Sequence, residues 1–380
     1  MNSIKLLYFT FFKNQSIALI VLGVLCLTVL AIEPLLRVGF TTNDDLENYL
    51  YFSQNSLSWS HVLRNIQTTG FRPLHLLFIS IPYIYDSFAW FKFVQIFVLL
   101  LSITSLSVLI GLLARNKYVG LLLYVLLLGL MQNSWGHNIL TSYPFIFHMC
   151  LSLMFIAIIL FYHWLQTKKI IFFWVSLTCY ICPVLVTEVH IFYSVLFPII
   201  VLIHSKRSVS LQQLQTTYKK EYVYSSLYIL CAILFVITYY WLKNIYGENY
   251  DGTTVNISSL QGILAVLKQY SISSFPSYVY FQLDALLPHM SHRRDFLYAN
   301  ELGIASLLNA LTLKWYCIAL INAIFTYCLL GKLSNNLKLY IVLFLVGVIF
   351  VFMPNVLLAI TSKYQAWVAN GDINYIYTYR

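Results

Sequence analysis

Long uncharged runs, broken by short basic turns and a few longer mixed stretches, set the pattern of this chain. Nine such runs stand out, at approximately 17–36, 93–114, 118–136, 144–164, 170–187, 189–204, 222–242, 315–331 and 339–360. A stretch of about 20 apolar residues crosses a hydrocarbon layer roughly 30 Å thick as a helix. Each run is therefore predicted to be a membrane span. Lipid admits only helices or closed barrels, because every backbone donor and acceptor needs an internal partner. Barrel strands would alternate strictly over segments of about ten residues, and the chain shows no such alternation. The predicted fold class is all-α: a polytopic transmembrane helical bundle of about nine spans, a single transmembrane domain over residues 1–380.

Segment 71–86 decides the orientation. Phe71 to Tyr85 is apolar but short, and it carries Arg72, Pro73, His75 and Pro82. It is predicted to be a juxtamembrane helix lying at the outer interface. With the N-terminus inside, the short basic turns become cytoplasmic: Arg115 to Lys117, Lys168-Lys169, Lys206-Arg207 with Lys219-Lys220, and Lys332 to Lys338. That is the bias cytoplasmic loops carry. Three segments on the other face are long enough to build a surface: 37–92, 243–314 and 361–380. The second holds a weakly amphipathic stretch, Leu260 to Tyr270, and an aromatic run, Phe275 to Phe281, suited to sugar stacking or to an interfacial belt. The third is expected to end as a tyrosine-rich loop without a closing helix, as in a shortened version of a longer protein. No internal repeat is evident, which gives an inverted-repeat transporter no support.

Composition agrees with the pattern. The 380 residues are 60% apolar and only 9% charged, against about 25% charged in soluble domains. The net charge of +10 reflects Lys and Arg flanking the spans; no basic run exceeds two residues, so nucleic acid is not an expected partner. Cys179 and Cys182 have the spacing of a redox pair but lie inside a predicted span, where they read as small hydrophobes. The run from Ile17 to Ile32 reads as a retained anchor, since Leu30-Ala31-Ile32 offers no small-x-small cleavage site.

Of thirteen Asp and Glu residues, twelve fall outside or at outer helix ends; Glu221 alone falls inside. Acids contribute little to insertion. Two readings of the bias stand: a functional outer face, or outer loops that are simply longer. Asp44-Asp45 follows the first span closely, where a carboxylate at a partly dry boundary gains proton affinity and suits general-base work. The alternative is that Asn43 or Asp44 caps a helix starting near Asp45. Arg72 is placed to bind a phosphate in two-pronged fashion, or to snorkel to lipid headgroups. Glu188 and His190 sit between two predicted spans with almost no loop, either as a functional pair or as a plain turn. Arg64, His61, His75, His137 and His148 are weaker outer candidates.

At this point a resemblance enters. Asn43-Asp44-Asp45, followed by Phe71-Arg72-Pro73-Leu74, is similar to the acidic loop and Gly-Arg-Pro-Leu step of the GT-C glycosyltransferases, in particular the bacterial serotype-converting O-antigen glucosyltransferases. Here Phe71 stands between Gly70 and Arg72, a departure from that step. Leu357 to Gln365 resembles a segment before the distal outer loop of such proteins. The resemblance covers the N-terminal third, and the remainder as architecture. It implies inverting sugar transfer at the outer face of the bacterial plasma membrane. The donor would be polyprenyl-phosphate-linked, the acceptor an envelope glycan, a lipid-linked oligosaccharide or a protein. Asp44 would be the base, and Asp45 would orient it or help hold a divalent cation such as Mg or Mn. Arg72, with His75, would clamp the lipid phosphate, while Glu188 and His190 would bind acceptor or metal from the opposite wall. Two competing functions stand beside it. A lipid-linked sugar transporter would need mid-membrane charge, which the spans lack. A polysaccharide polymerase or ligase would use a late arginine-bearing loop such as the one holding Arg293-Arg294.

Overall fold

The computed structural model of the chain describes residues 17–37, 43–54, 60–61, 63, 71–130, 143–205, 218–246, 254–273, 313–333 and 337–370. Long apolar segments become helices because a helix satisfies its backbone within the segment. Thirteen α-helices are described: α1 (Ile17–Arg37), α2 (Asn43–Gln54), α3 (His75–Ser80), α4 (Phe88–Ala114), α5 (Lys117–Leu130), α6 (Ile146–Thr167), α7 (Ile170–Val186), α8 (Leu196–Ser205), α9 (Lys219–Tyr246), α10 (Leu260–Ser273), α11 (Leu313–Leu330), α12 (Leu337–Ala359) and α13 (Ser362–Ala369). Two 3₁₀ segments, Ile81–Tyr83 and Glu188–Val195, lie just before α4 and α8. Among the described residues the only β contact is an isolated bridge between Val255 and Thr361.

Four units are long and apolar enough to cross a membrane: α4, α6, the continuous stretch Glu188–Ser205, and α9. Helix also occupies the other five predicted runs, as α1, α5, α7, α11 and α12. Several of these offer only a shorter apolar stretch, such as Ile170–Val186 in α7 and Tyr316–Leu330 in α11. A helical membrane protein is therefore the architecture. Segment 71–86 forms only the six-residue α3 and one 3₁₀ turn, about 9 Å of helix at 1.5 Å per residue and too short to cross.

The main core joins α6, α7, the Glu188–Val195 turn, α8 and α9. At its centre Tyr228 stacks on Phe197, with ring centroids 3.5 Å apart. Polar contacts fix the register. Ser176 donates to the Ala157 carbonyl at 2.5 Å, so the 2.7 Å contact with Tyr228 is a bond from the tyrosine hydroxyl to Ser176 Oγ. Between apolar helices such bonds add specificity, since hydrophobic burial alone does not drive association in lipid. α6 and α7 are joined by a tight turn whose Lys168 adopts a left-handed φ of 58°. Lys168 also pairs with Glu221 at 2.6 Å, tying the start of α9 to that turn.

The C-terminal part corrects one expectation. The segment after Pro354 does not run straight into an irregular tail: α12 continues to Ala359 and α13 follows from Ser362. Asn256 N–H donates to Ile360 O at 2.7 Å, and the Gln365 amide donates to both Asn256 O and Ala359 O at 2.8 Å. These bonds dock residues 254–259 onto the α12–α13 junction. α10 then packs its Val266 against Leu358, Tyr364 and Val368, so residues 254–273 and the α12–α13 junction form one substructure. The aromatic run 275–281, Arg293-Arg294 and residues 371–380 lie outside the described residues.

α4 and α5 cross so closely that Gly111 and Gly120 face each other. A Cβ at Gly120 would sit 2.4 Å from the Ser107 carbonyl oxygen, a backbone atom that cannot swing away. Gly120→Val is expected to destabilise the protein by about 1–3 kcal/mol. Gly347→Ala, inside α12 where a Cβ meets nothing within 4 Å, should leave stability unchanged or raise it by up to about 1 kcal/mol. Thermal unfolding of both variants in detergent checks this.

Candidate functional site

The site begins where α7 breaks. Pro183 has no N–H and its ring crowds the preceding turn, so the helix ends within four residues. Thr187 is extended (φ −149°, ψ 136°), and its N–H closes the end by donating to Pro183 O at 3.0 Å. The chain re-enters as a 3₁₀ helix whose first residue is Glu188. Opposite this break, Leu74 N–H donates to Leu185 O at 3.2 Å. On the other side of Arg72, the Phe71 ring lies 5.6 Å from Phe235 of α9. The residue that departs from the family step is thus an anchor, and Arg72 is pinned between two fixed neighbours.

Arg72 meets Glu188 directly. Its Nε donates to Oε2 at 2.7 Å and its Nη2 donates to Oε1, a two-pronged pair. The side chains are only 14% and 19% exposed. Charges removed from water to this extent persist only when paired. The expectation of Arg72 on one wall and Glu188 on the other is replaced by contact between them. Glu188 is then poorly suited to hold a cation, because a guanidinium already occupies its carboxylate.

His75 follows Arg72 by three residues and begins α3. Burial, reinforced by the Arg72 charge, lowers its pKa to about 4, against smaller opposing effects of Glu188 and the Val186 backbone. A ring N–H faces that backbone, while Nδ1 is buried without a hydrogen-bond partner among the described residues. The side chain is therefore neutral near pH 7 and offers a lone pair rather than the positive charge expected of a phosphate clamp. His190 is 1% exposed, with Nδ1 2.7 Å from Thr187 Oγ1 and 3.3 Å from Thr187 O. A carbonyl only accepts, so Nδ1 carries the proton and Nε2 is left bare. Among the described residues no group of three or more His, Cys, Asp and Glu could hold a metal ion.

The acidic pair lies on α2. The helix starts at Asn43, so Asp44 and Asp45 occupy its first turn, where the helix dipole favours negative charge. Their side chains are outside the described residues, as are Arg64 and His137. α2 is nevertheless docked: Tyr49 hydroxyl donates to Asp86, and Phe52 stacks on Tyr83 at 6.1 Å. Asp45 sits one helical turn before Tyr49, so the pair belongs to a helix fastened beside α3.

One further feature escaped the sequence reading, Lys92, and one named candidate, His148, proves to lie inside α6. Lys92 is 5% exposed in the second turn of α4, bonded to Gln95 at 2.9 Å and lying over the Phe88 and Phe91 rings. Its signal was a lone cation at the edge of an apolar run. His148 is buried against Ser102 at 3.3 Å; the serine proton goes to Leu99 O, so His148 Nδ1 is the donor and its buried Nε2 lacks a partner among the described residues.

Arg72→Met strands a buried carboxylate and is expected to cost about 3–5 kcal/mol. The double variant Arg72→Met with Glu188→Leu should recover most of that loss, because no charge is left unpaired. Chemical denaturation of the single and double variants measures both. The folded pKa of His75 lies below its ordinary 6.5, so the unfolded chain takes the proton first. Its contribution is complete above about pH 6.5 and is lost as pH falls towards 4. Unfolding measured across that window should weaken steeply for the parent and less for His75→Gln.

Compared with family models, curated proteins and solved structures, the chain matches none.

Proposed function

We propose that the chain is an inverting membrane glycosyltransferase of GT-C type, acting at the non-cytoplasmic face of a bacterial plasma membrane. It transfers a sugar from a polyprenyl-phosphate-linked donor to an envelope glycan, lipid or protein acceptor. The nine-span arrangement with a cytoplasmic N-terminus belongs to this proposal. One observation carries it: Arg72 is held desolvated and oriented at the end of α7, two-pronged on an anion. That geometry suits a phosphate as well as a carboxylate.

Direct displacement at the anomeric carbon needs a base for the acceptor hydroxyl and a cation for the departing lipid phosphate. Asp44, in the first turn of a helix docked beside α3, supplies the base, and Asp45 steadies it. Arg72 stabilises the developing phosphate charge, an effect strongest in a dry, preorganised site. Neutral His75 accepts a hydroxyl proton in a hydrogen bond through Nδ1. His190, fixed by Thr187, offers Nε2 to a second hydroxyl. The polymerase or ligase and transporter alternatives gain nothing from the described residues.

A positioned base contributes typically 10²–10⁴-fold, so Asp44→Ala should erase the glycan product. Envelope glycans of cells making the intact chain are compared with those of cells making Asp44→Ala at equal protein level. Loss of a glycan component in the variant is expected. Identical glycans would remove Asp44 from the chemistry.

A further inference from the structure

Arg72 does not wait for its ligand with an open guanidinium edge. Glu188 already occupies Nε and Nη2 in the geometry an incoming phosphate oxygen pair would adopt. The contact joins one charge of each sign in a largely water-free place between α3 and the Glu188–Val195 turn. Adding a phosphate anion without further change would leave a buried net negative charge, which is costly away from water. Two responses restore neutrality: the phosphate is refused, or a carboxylate is protonated.

We infer that Glu188 is a placeholder for phosphate, displaced from Arg72 when the ligand binds and taking up one proton as it leaves. The inference rests on the reading of Arg72 as the phosphate-binding residue and names the partner reaction of that site. The balance is simple. The Arg72–carboxylate contact breaks and an Arg72–phosphate contact forms; Glu188 COO⁻ and one solvent proton become COOH. Arg72 stays protonated throughout. With a phosphodiester donor of charge minus one, the exchange leaves the charge of the Arg72 contact unchanged.

The charged and titratable groups acting on Glu188 are Arg72 and His75, and Glu188 acts in turn on His190. α7, α8, α9 and α12, which pack against the turn carrying it, bring no further charge onto it among the described residues. Once Arg72 turns to the phosphate, no cation remains to hold the carboxylate ionised, and two neutral imidazoles do not replace one. Glu188 is thus assigned as a positioning residue: it keeps Arg72 oriented and desolvated without ligand and then steps aside. Lipid-phosphate binding becomes coupled to proton uptake, and Glu188 returns its proton when the phosphate departs.

Calorimetric titration of the detergent-solubilised full chain with a farnesyl phosphodiester, the methyl ester of farnesyl phosphate, tests this at about pH 8 in buffers of different ionisation enthalpy. A phosphodiester keeps its single charge there and lacks the second ionisation near about 6 that a monoester has, so proton uptake reports on the protein. Uptake of close to one proton per ligand is expected. Glu188→Gln should show none and should bind at least about tenfold more tightly, a gain of roughly 1.4 kcal/mol, because the competitor is gone. Glu188→Asp keeps the charge with a poorer two-pronged fit, so it should bind with intermediate affinity and retained uptake; it serves if Glu188→Gln fails to fold. Inorganic phosphate in a parallel titration separates headgroup from lipid: equal affinity for both would mark a free-anion site with the same switch. Binding without proton uptake, unchanged affinity in the variants, or no binding by any form would each overturn the inference. Proton-coupled binding with no sugar transfer to any acceptor would leave the switch standing and sink the transferase reading instead.

Discussion

The end of this protein that carries α2 and α3 is organised by one contact, the two-pronged pair between Arg72 and Glu188. The partners are 116 residues apart in sequence and belong to different parts of the bundle. Each is too enclosed to stay charged alone, so neither segment holds its arrangement without the other. Around that contact the remaining geometry follows. Leu74 bonds to the frayed end of α7, Phe71 leans on Phe235, and α3 carries His75 to the same join. α2 in turn rests on α3 and the 3₁₀ turn that follows it. The chain from the acidic pair to Glu188 is thus a sequence of contacts that converge on Arg72.

α7 links this end to the opposite one. Lys168, paired with Glu221, lies just before it, and Glu188, paired with Arg72, just after. At 1.5 Å per residue its 17 residues span about 25 Å, close to the thickness of a hydrocarbon layer. Each end of the helix is therefore fastened by an ion pair and the stretch between them is apolar. The asymmetry is in exposure: Lys168 is 53% exposed, whereas both outer partners are mostly enclosed. A water-facing lysine suits a cytoplasmic turn, and an enclosed arginine suits a place where an anion is exchanged.

How legible was this in the sequence? Helices at all nine runs were, because an apolar run in lipid has no other way to satisfy its backbone. The brevity of α3 was also legible, from Pro73 and Pro82 around a short apolar stretch. The contact between Arg72 and Glu188 was not. Both residues stood out individually, but periodicity and spacing carry no information on which distant turns meet. The role of Phe71 was hidden for the same reason, since its partner Phe235 lies on α9. α13 was missed because Ser362 to Ala369 is a short helix of mixed polarity, held by Gln365 and Asn256 as well as by the packing of Tyr364 and Val368. The charge state of His75 was not legible either, because burial, not residue type, decides it.

The account depends on Arg72, Glu188 and the acidic helix α2 facing the non-cytoplasmic side, with the Lys168–Glu221 end facing the cytoplasm. Labelling intact cells with a membrane-impermeant thiol reagent tests this most directly, in a background freed of the native cysteines. Asp86→Cys reports on the face beside α2 and Lys168→Cys on the opposite end of α7; both positions are exposed. The account predicts labelling at position 86 in intact cells, and at position 168 only after the cells are opened. Labelling at 168 but not at 86 in intact cells would contradict it.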